Sequence, residues 1–364
     1  MAVCVHRLHS VTAAQHEPES FGQALSRAYY EDVVAPTVAR RLPGLRYAAA
    51  RLGSGSDVLG LDDETSQDHD FGLRLTLLTP DDQGGEVAAV LETDLPKDYR
   101  GWPTRFPTTW SPEGAVRVEV SSVADFLQFR LGVDATADLS VADWLALTGQ
   151  AVLEVTAGPV FADTAGDLTA ARTRLGWYPH DVWLHLLACD WAQLGEELPF
   201  IGRSGSRGDD LGSRVLAGRL VQVGMHLGFL LERCWPPYSK WFGIAFARLP
   251  RASAAAPAFR VALAADDWHE REMGLAEGLA VLGRLQGEIG LPAVEPVTVP
   301  FFDRPFQGLA DISQALLSAV TDAEVRALPS GVGSAEQISG TTKLLVDGAR
   351  RARVVRAAIK PSRR

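Results

Sequence analysis

Apolar positions recur at helical spacing from Gln23 to Arg40, and the short apolar run from Tyr47 to Leu52 ends at a glycine. A helix followed by a strand is predicted there. After a polar stretch from Gly53 to Asp70, Phe71, Leu73, Leu75 and Leu77 alternate with Gly72, Arg74, Thr76 and Leu78. That period of two predicts a half-buried strand. A helix is expected around Glu86 to Thr93, an aromatic and proline-rich loop from Pro96 to Pro112, and strand again from Ala115 to Ser121. Beyond about residue 150 the pattern becomes helical, most clearly over Trp177–Leu198, Gly212–Arg233 and Trp268–Ile289. Proline-containing pieces at Pro250 to Pro257 and Pro292 to Pro305 read as connections. No internal repeat is visible. The order of elements predicts an α+β class. An N-terminal segment (1–22) precedes an α/β domain (23–165), a helical-bundle domain (166–330), and a C-terminal helix with a basic tail (331–364).

Composition narrows the function classes. With 364 residues, 46% hydrophobic and 22% charged, the chain can bury a sizeable core, so disorder and fibre are excluded. No run of about 18 apolar residues and no leader-like N-terminus stands out, so neither a membrane span nor a signal peptide is expected. Cys4, Cys189 and Cys234 are too few and too scattered for a disulfide framework or a cysteine zinc site, and a reducing cytoplasm is the expected compartment. A formal charge of -10 argues against long nucleic acid as the main partner but leaves room for a small anionic ligand. The basic run Arg350, Arg351, Arg353, Arg356, Lys360, Arg363 and Arg364 reads as a solvated helix and frayed tail.

The chemistry concentrates in Gly53-Ser54-Gly55-Ser56-Asp57-Val58-Leu59-Gly60, followed by Ser66-Gln67-Asp68-His69-Asp70-Phe71-Gly72. In a strand residues two apart point to the same side, so Asp68 and Asp70, at the start of this strand, present both carboxylates on the face opposite Phe71, Leu73 and Leu75. Two carboxylates about 4 Å apart repel by roughly 4 kcal/mol at an effective dielectric of about 20, so a cation or proton must intervene. A hard divalent ion, Mg2+ or Mn2+, suits such oxygens. The Gly-Ser turn complements the acids: glycines at Gly55 and its neighbours let backbone N–H groups approach phosphate, and Ser54 and Ser56 add hydroxyl donors. Together these groups would hold a metal-chelated triphosphate. A third acid is expected on a neighbouring strand. Glu119 is the candidate ligand or general base, with Glu92, Asp94 and Asp125 nearby in sequence.

A Gly-Ser pair followed some ten residues later by Asp-x-Asp resembles the fingerprint of the DNA polymerase β-like nucleotidyltransferase superfamily, matched here by Gly55, Ser56, Gly60, Asp68 and Asp70. The strings Gly158-Pro159-Val160-Phe161, Tyr178-Pro179-His180-Asp181-Val182-Trp183 and Pro237-Tyr238-Ser239-Lys240-Trp241 extend the resemblance to a bacterial nucleotidyltransferase-fold family of unknown function, over roughly residues 20–330. The resemblance implies a nucleotidyltransferase-type mixed sheet with helices. It also implies metal-dependent transfer of a nucleoside monophosphate from a nucleoside triphosphate, with ATP the commonest donor, to a small-molecule acceptor, pyrophosphate leaving. Asp68, Asp70 and Glu119 would be the catalytic and metal-binding residues. Gly55, Ser56, Ser54 and Lys240 would bind the donor, with Lys240 reaching it from the helical domain. His69 departs from the superfamily, which usually has an apolar residue between the acids.

Other readings stand beside this one. The alternatives are a catalytically weak nucleotide-binding or regulatory module and a repurposed enzyme on the same fold. Asp68 and Asp70 also read as solvated aspartates ending an acidic loop, and Lys240 as part of a helix junction. His69-Asp70 and His180-Asp181 lack the helical, histidine-rich setting of His-Asp phosphohydrolases. No Gly-x-Ser-x-Gly elbow, Walker loop or His-Glu-x-x-His motif occurs. Asp209 or Asp210 is expected to cap a helix, and Trp177, Trp183, Trp191, Trp235 and Trp241 to lie in the core.

Overall fold

A computed structural model describes residues 19–66, 70–109 and 111–360. The described residues up to Leu127, with Leu153–Thr173, form one compact unit; Gln128–Val152 and the described residues from Arg174 onward form a second.

The first unit is built on a four-stranded mixed sheet. Among the described residues of this unit the strands in chain order are β1 (Ala48–Ala50), β2 (Leu75–Leu78), β3 (Asp98–Tyr99), β4 (Trp102–Pro103), β5 (Arg105–Thr108), β6 (Ser111–Val116), β7 (Val118–Ser121) and β8 (Val160–Asp163). The sheet order is β7-β2-β1-β8. β1 runs antiparallel to β2 and β8, whereas β2 and β7 are parallel. A parallel neighbour needs a crossover, and the helix Gly84–Asp94 lies in that connection.

The first helix, Phe21–Tyr29, starts in a capping box in which Ser20 and Gln23 serve each other's backbone N–H groups. The helical run predicted from Gln23 to Arg40 is present but widens to a π turn over Tyr30–Val34 before continuing as Ala35–Arg41. Pro36 lies in that first turn and has no N–H to give to the preceding turn. Tyr29, Val34, Val38, Leu73, Leu75, Leu77, Val87 and Leu91 join helix and strand faces in one core.

Three expectations need correction. The strand predicted from Phe71 starts only at Leu75, and all four of its residues are buried, so it is a two-sided interior strand rather than a half-exposed one. Asp70 precedes it in a turn, and Gly72 has φ +153°. The loop expected from Pro96 to Pro112 contains the β3–β4 and β5–β6 hairpins. Arg100 and Gly101, with φ 52° and 82°, make the tight turn of the first. The strand expected over Ala115–Ser121 is divided at Arg117, because β6 pairs with β5 while β7 pairs with β2.

In the second unit the long helices are His180–Gly205, Asp210–Glu232 and Trp268–Glu288, with a small hairpin of β9 (Thr298–Pro300) and β10 (Gln307–Leu309). Asp209 caps Asp210–Glu232 through a hydrogen bond from Gly212 N–H, as expected. That helix is long and apolar enough by length and composition to cross a membrane, but half of the stretch is buried inside the fold. Trp183 and Trp191 are buried, their indole N–H groups donating to the Leu230 carbonyl (2.8 Å) and Gln286 Oε1 (2.7 Å). The solvated basic helix is a partial expectation only. Arg351 is fully buried and donates to the Ala146 and Leu131 carbonyls, satisfying backbone oxygens that apolar side chains could not.

A polar seam also crosses the interior of this unit. His226 Nδ1 lies 2.7 Å from Asp190 Oδ2 and Nε2 lies 3.6 Å from Glu336 Oε1, while Gln337 donates to Asp190 Oδ1 at 2.7 Å. Burial works against the imidazolium, but the two carboxylates override it and push His226 up to about 10.

Candidate functional site

The chain leaves β1 into the Gly-Ser bend under tight control. Arg51 N–H donates to the Pro159 carbonyl at 3.0 Å and Gly53 N–H to the Glu154 carbonyl at 2.8 Å. Beneath the bend, the Arg51 guanidinium meets Asp57 through Nε–Oδ2 at 2.6 Å and Nη2–Oδ1 at 2.9 Å, and also donates to the Leu52 and Ser54 carbonyls. Both side chains are buried. This two-point pair fixes geometry as well as charge.

Glycine is obligatory at position 55. Its φ is +142°, and a Cβ there would lie 2.2 Å from Asp57 Oδ1 and 2.5 Å from Arg51 Nη2. Gly158 lets β8 approach the bend, since a Cβ on it would lie 1.7 Å from the Arg51 carbonyl oxygen. The hydroxyls of the half-exposed Ser54 and Ser56, and the N–H groups of Ser54, Gly55 and Ser56, donate to no described residue. The bend therefore presents several donors and no buried net charge, an arrangement suited to phosphate oxygens.

Asp70 sits on the approach to β2. Its Oδ1 accepts from Thr109 N–H and its Oδ2 from Thr109 Oγ, each at 2.7 Å. Thr109 belongs to the short link between β5 and β6. The same hairpin covers the next residues of the acidic segment: a Cβ on Gly72 would lie 2.8 Å from the Phe106 ring. Arg117 secures the hairpin by donating to the Phe106 (2.7 Å), Ser111 (3.0 Å) and Glu113 (3.0 Å) carbonyls. Burial pulls the Arg117 pKa down, and the negative charge of Asp70 opposes that pull.

Strand register shows which residues are brought together. Ala50 pairs with Thr76 and with Val160, and Leu75 pairs with Val118. The end of β1 and the beginnings of β2, β7 and β8 therefore share one end of the sheet. That end carries the Gly53–Ser56 bend, the Asp70 turn and Gly158. A second tie links the first two, because a Cβ on Gly22 would meet both Asp57 Cβ (2.6 Å) and the Phe71 ring (3.1 Å). Glu119 lies opposite Thr76 in the parallel register, near the start of β7, and is exposed. Residues paired across strands project from the same face, so Glu119 and Thr76 share one.

Asp68 and His69 lie outside the described residues, so their positions are not part of this geometry. Among the described residues, no group of three or more His, Cys, Asp or Glu side chains converges as a metal site. Lys240 belongs to the second unit, at the start of the helix Ser239–Ala247, with its ammonium 4.7 Å from the Trp241 ring centroid. The sequence reading missed Arg51, Asp57 and Thr109 as parts of the site. Asp57 lay within the glycine-rich segment already singled out. Arg51 and Thr109 carried no local signal, since each is defined by a partner that only the fold supplies.

Residues 144–242 match the profile of a domain of unknown function (DUF4037). Among solved structures, a nucleotidyltransferase-like protein from Exiguobacterium sibiricum is similar, with 14% identity over 73% of this chain and 79% of that one and a TM-score of 0.34. No curated protein matches. At that identity and TM-score the likeness carries no argument about activity. The resemblance noted in the sequence, to a nucleotidyltransferase-fold family of unknown function, names the same kind of protein as the structural match, and the profile match is likewise to a domain of unknown function. The chain is thus a mixed α+β protein that carries a DUF4037 match and resembles, distantly, a nucleotidyltransferase-like protein.

Proposed function

We propose that this protein is a metal-dependent nucleotidyltransferase that moves a nucleoside monophosphate from a nucleoside triphosphate to a small-molecule acceptor. The observation that carries the reading is the meeting, at one end of the sheet, of a donor-rich Gly-Ser bend with the Asp70 turn ahead of β2 and Glu119 near the start of β7.

The donor set fits a hard divalent ion. Asp70 and Glu119 offer carboxylate oxygens, the hard donors such an ion prefers. Asp70, Glu119 and Asp68 would hold Mg2+ or Mn2+. When bound, the ion would stabilise charge on the attacking and departing oxygens. The bend would bind the phosphates through the N–H groups of Ser54, Gly55 and Ser56 and the two serine hydroxyls. Arg51 and Asp57 keep those donors in place before the ligand arrives, which lowers the ordering cost of binding. Glu119, exposed near the ion ligands' strand, would accept the acceptor hydroxyl's proton.

The test is pyrophosphate release from each nucleoside triphosphate with Mg2+ and a panel of small hydroxyl-bearing acceptors. Release that is lost in Asp70→Asn and Glu119→Gln supports the reading; release unchanged in both overturns it. A second reading, a nucleotide-binding module without turnover, is favoured by one fact: both Asp70 oxygens already accept hydrogen bonds from Thr109. Magnesium-dependent triphosphate binding with no pyrophosphate release would select it.

A further inference from the structure

We infer that Thr109 is the positioning residue for the Asp70 carboxylate, setting the plane in which that group meets a divalent cation. The inference rests on the metal site proposed above. A turn residue has no ladder of strand hydrogen bonds on either side to fix its side chain, and Asp70 lies in a turn ahead of β2. Thr109 supplies a constraint from outside that turn. Its N–H and Oγ reach the two different oxygens of one carboxylate, each at 2.7 Å. Two donors on two oxygens remove the rotation that a single hydrogen bond would leave.

The platform holding Thr109 has anchors of its own. Arg117 grips the hairpin through three carbonyls, and Phe106 packs on Gly72, two residues beyond the acid. Phe106 thus sets the position of the acidic backbone while Thr109 sets the carboxylate. Hydrogen bonds that orient a ligating group from behind typically matter by about 10- to 100-fold in metal affinity. A purely structural tie predicts something else: Thr109 would matter to stability and not to the cation.

The experiment is direct Mn2+ binding by the full chain, measured by electron paramagnetic resonance of the free ion, for the wild type, Thr109→Val, Thr109→Ser and Asp70→Asn. Thr109→Val keeps shape and backbone N–H but loses the Oγ donor; Thr109→Ser keeps the donor. The expected result is Mn2+ affinity about 10-fold or more weaker in Thr109→Val and within about 3-fold of wild type in Thr109→Ser, with far-ultraviolet circular dichroism unchanged in both. Equal or tighter binding by Thr109→Val, when Asp70→Asn has lost it, overturns the positioning role while leaving the metal site standing. Binding by wild type no better than by Asp70→Asn overturns the metal site and the positioning role together.

Discussion

Replacing Asp57 by Ala would test how the Gly-Ser bend is held. The Arg51 guanidinium is nearly inaccessible, with side-chain exposure of 2% against 6% for Asp57. Removing the carboxylate strands a buried cation whose remaining partners are the Leu52 and Ser54 carbonyls. Breaking a buried pair from one side costs about 3–5 kcal/mol, and those carbonyls place the expected loss near the lower end, about 3 kcal/mol. For a unit of this size that is a fall in Tm of roughly 6–12 °C. Urea denaturation gives the free energy. Hydrogen exchange at the Arg51 and Gly53 amides, which donate to Pro159 and Glu154, locates the loss at the bend. The double variant Arg51→Met, Asp57→Leu removes both charges and should recover most of the stability, because two apolar groups of similar bulk leave no ion uncompensated. The reasoning is refuted if Asp57→Ala costs less than about 1 kcal/mol, or if the double variant is as unstable as the sum of the two single ones.

Three further outcomes follow from other buried groups. Burial opposes a charge on His226, yet Asp190 and Glu336 raise it to about 10, above its ordinary value of 6.5. The stabilisation is therefore complete below that ordinary value and fades as pH rises through about 10, and nuclear magnetic resonance should find the ring still protonated at about pH 8. Glu272 is buried, one of its oxygens has no partner, and burial raises its carboxyl to about 7 despite the Gln307 N–H and His269. Being raised, it loses its favourable contribution as pH climbs through about 7, so Glu272→Gln should raise Tm at about pH 8 and leave it unchanged at about pH 4. Gly158→Ala should cost about 3 kcal/mol or more because its Cβ would strike the Arg51 carbonyl, whereas Gly85→Ala, in open space on a helix, should gain about 0.5–1 kcal/mol by the same denaturation assay.

What was legible in the chain was whatever depends on near neighbours. The long helices announced themselves through 3.6-residue spacing; two have bounds within two residues of the predicted ones, while the third, expected over Trp177–Leu198, starts at His180 and runs on to Gly205; Asp209 capped its helix because a cap is a local event. The β3–β4 and β5–β6 hairpins were hidden by prolines that read as loop, although Pro103, Pro107 and Pro112 all stand in short two-stranded ribbons, where a missing donor is tolerated. β8 was invisible for a different reason: four residues pairing with β1 from more than a hundred positions away leave no local period to detect. Glu119 was assigned its strand correctly, but the division at Arg117 depends on two different partner strands, which no window of sequence contains.

The early end of β2 bears most directly on the site. A strand running unbroken from Phe71 would have oriented Asp70 through its own ladder, and the acid would have needed nothing else. Gly72 at φ +153° and the Phe106 ring lying on it interrupt that ladder. Leu73 is buried and Phe71 half-buried although neither lies in the strand, which is why the apolar pattern overstated its length. Asp70 consequently depends on a residue 39 positions later, Thr109. An acid held by a hairpin tip, rather than placed on its own strand, is reoriented when that tip changes. Substitution at Thr109 should therefore alter cation affinity without altering the sheet, and substitution at Gly72 should alter both.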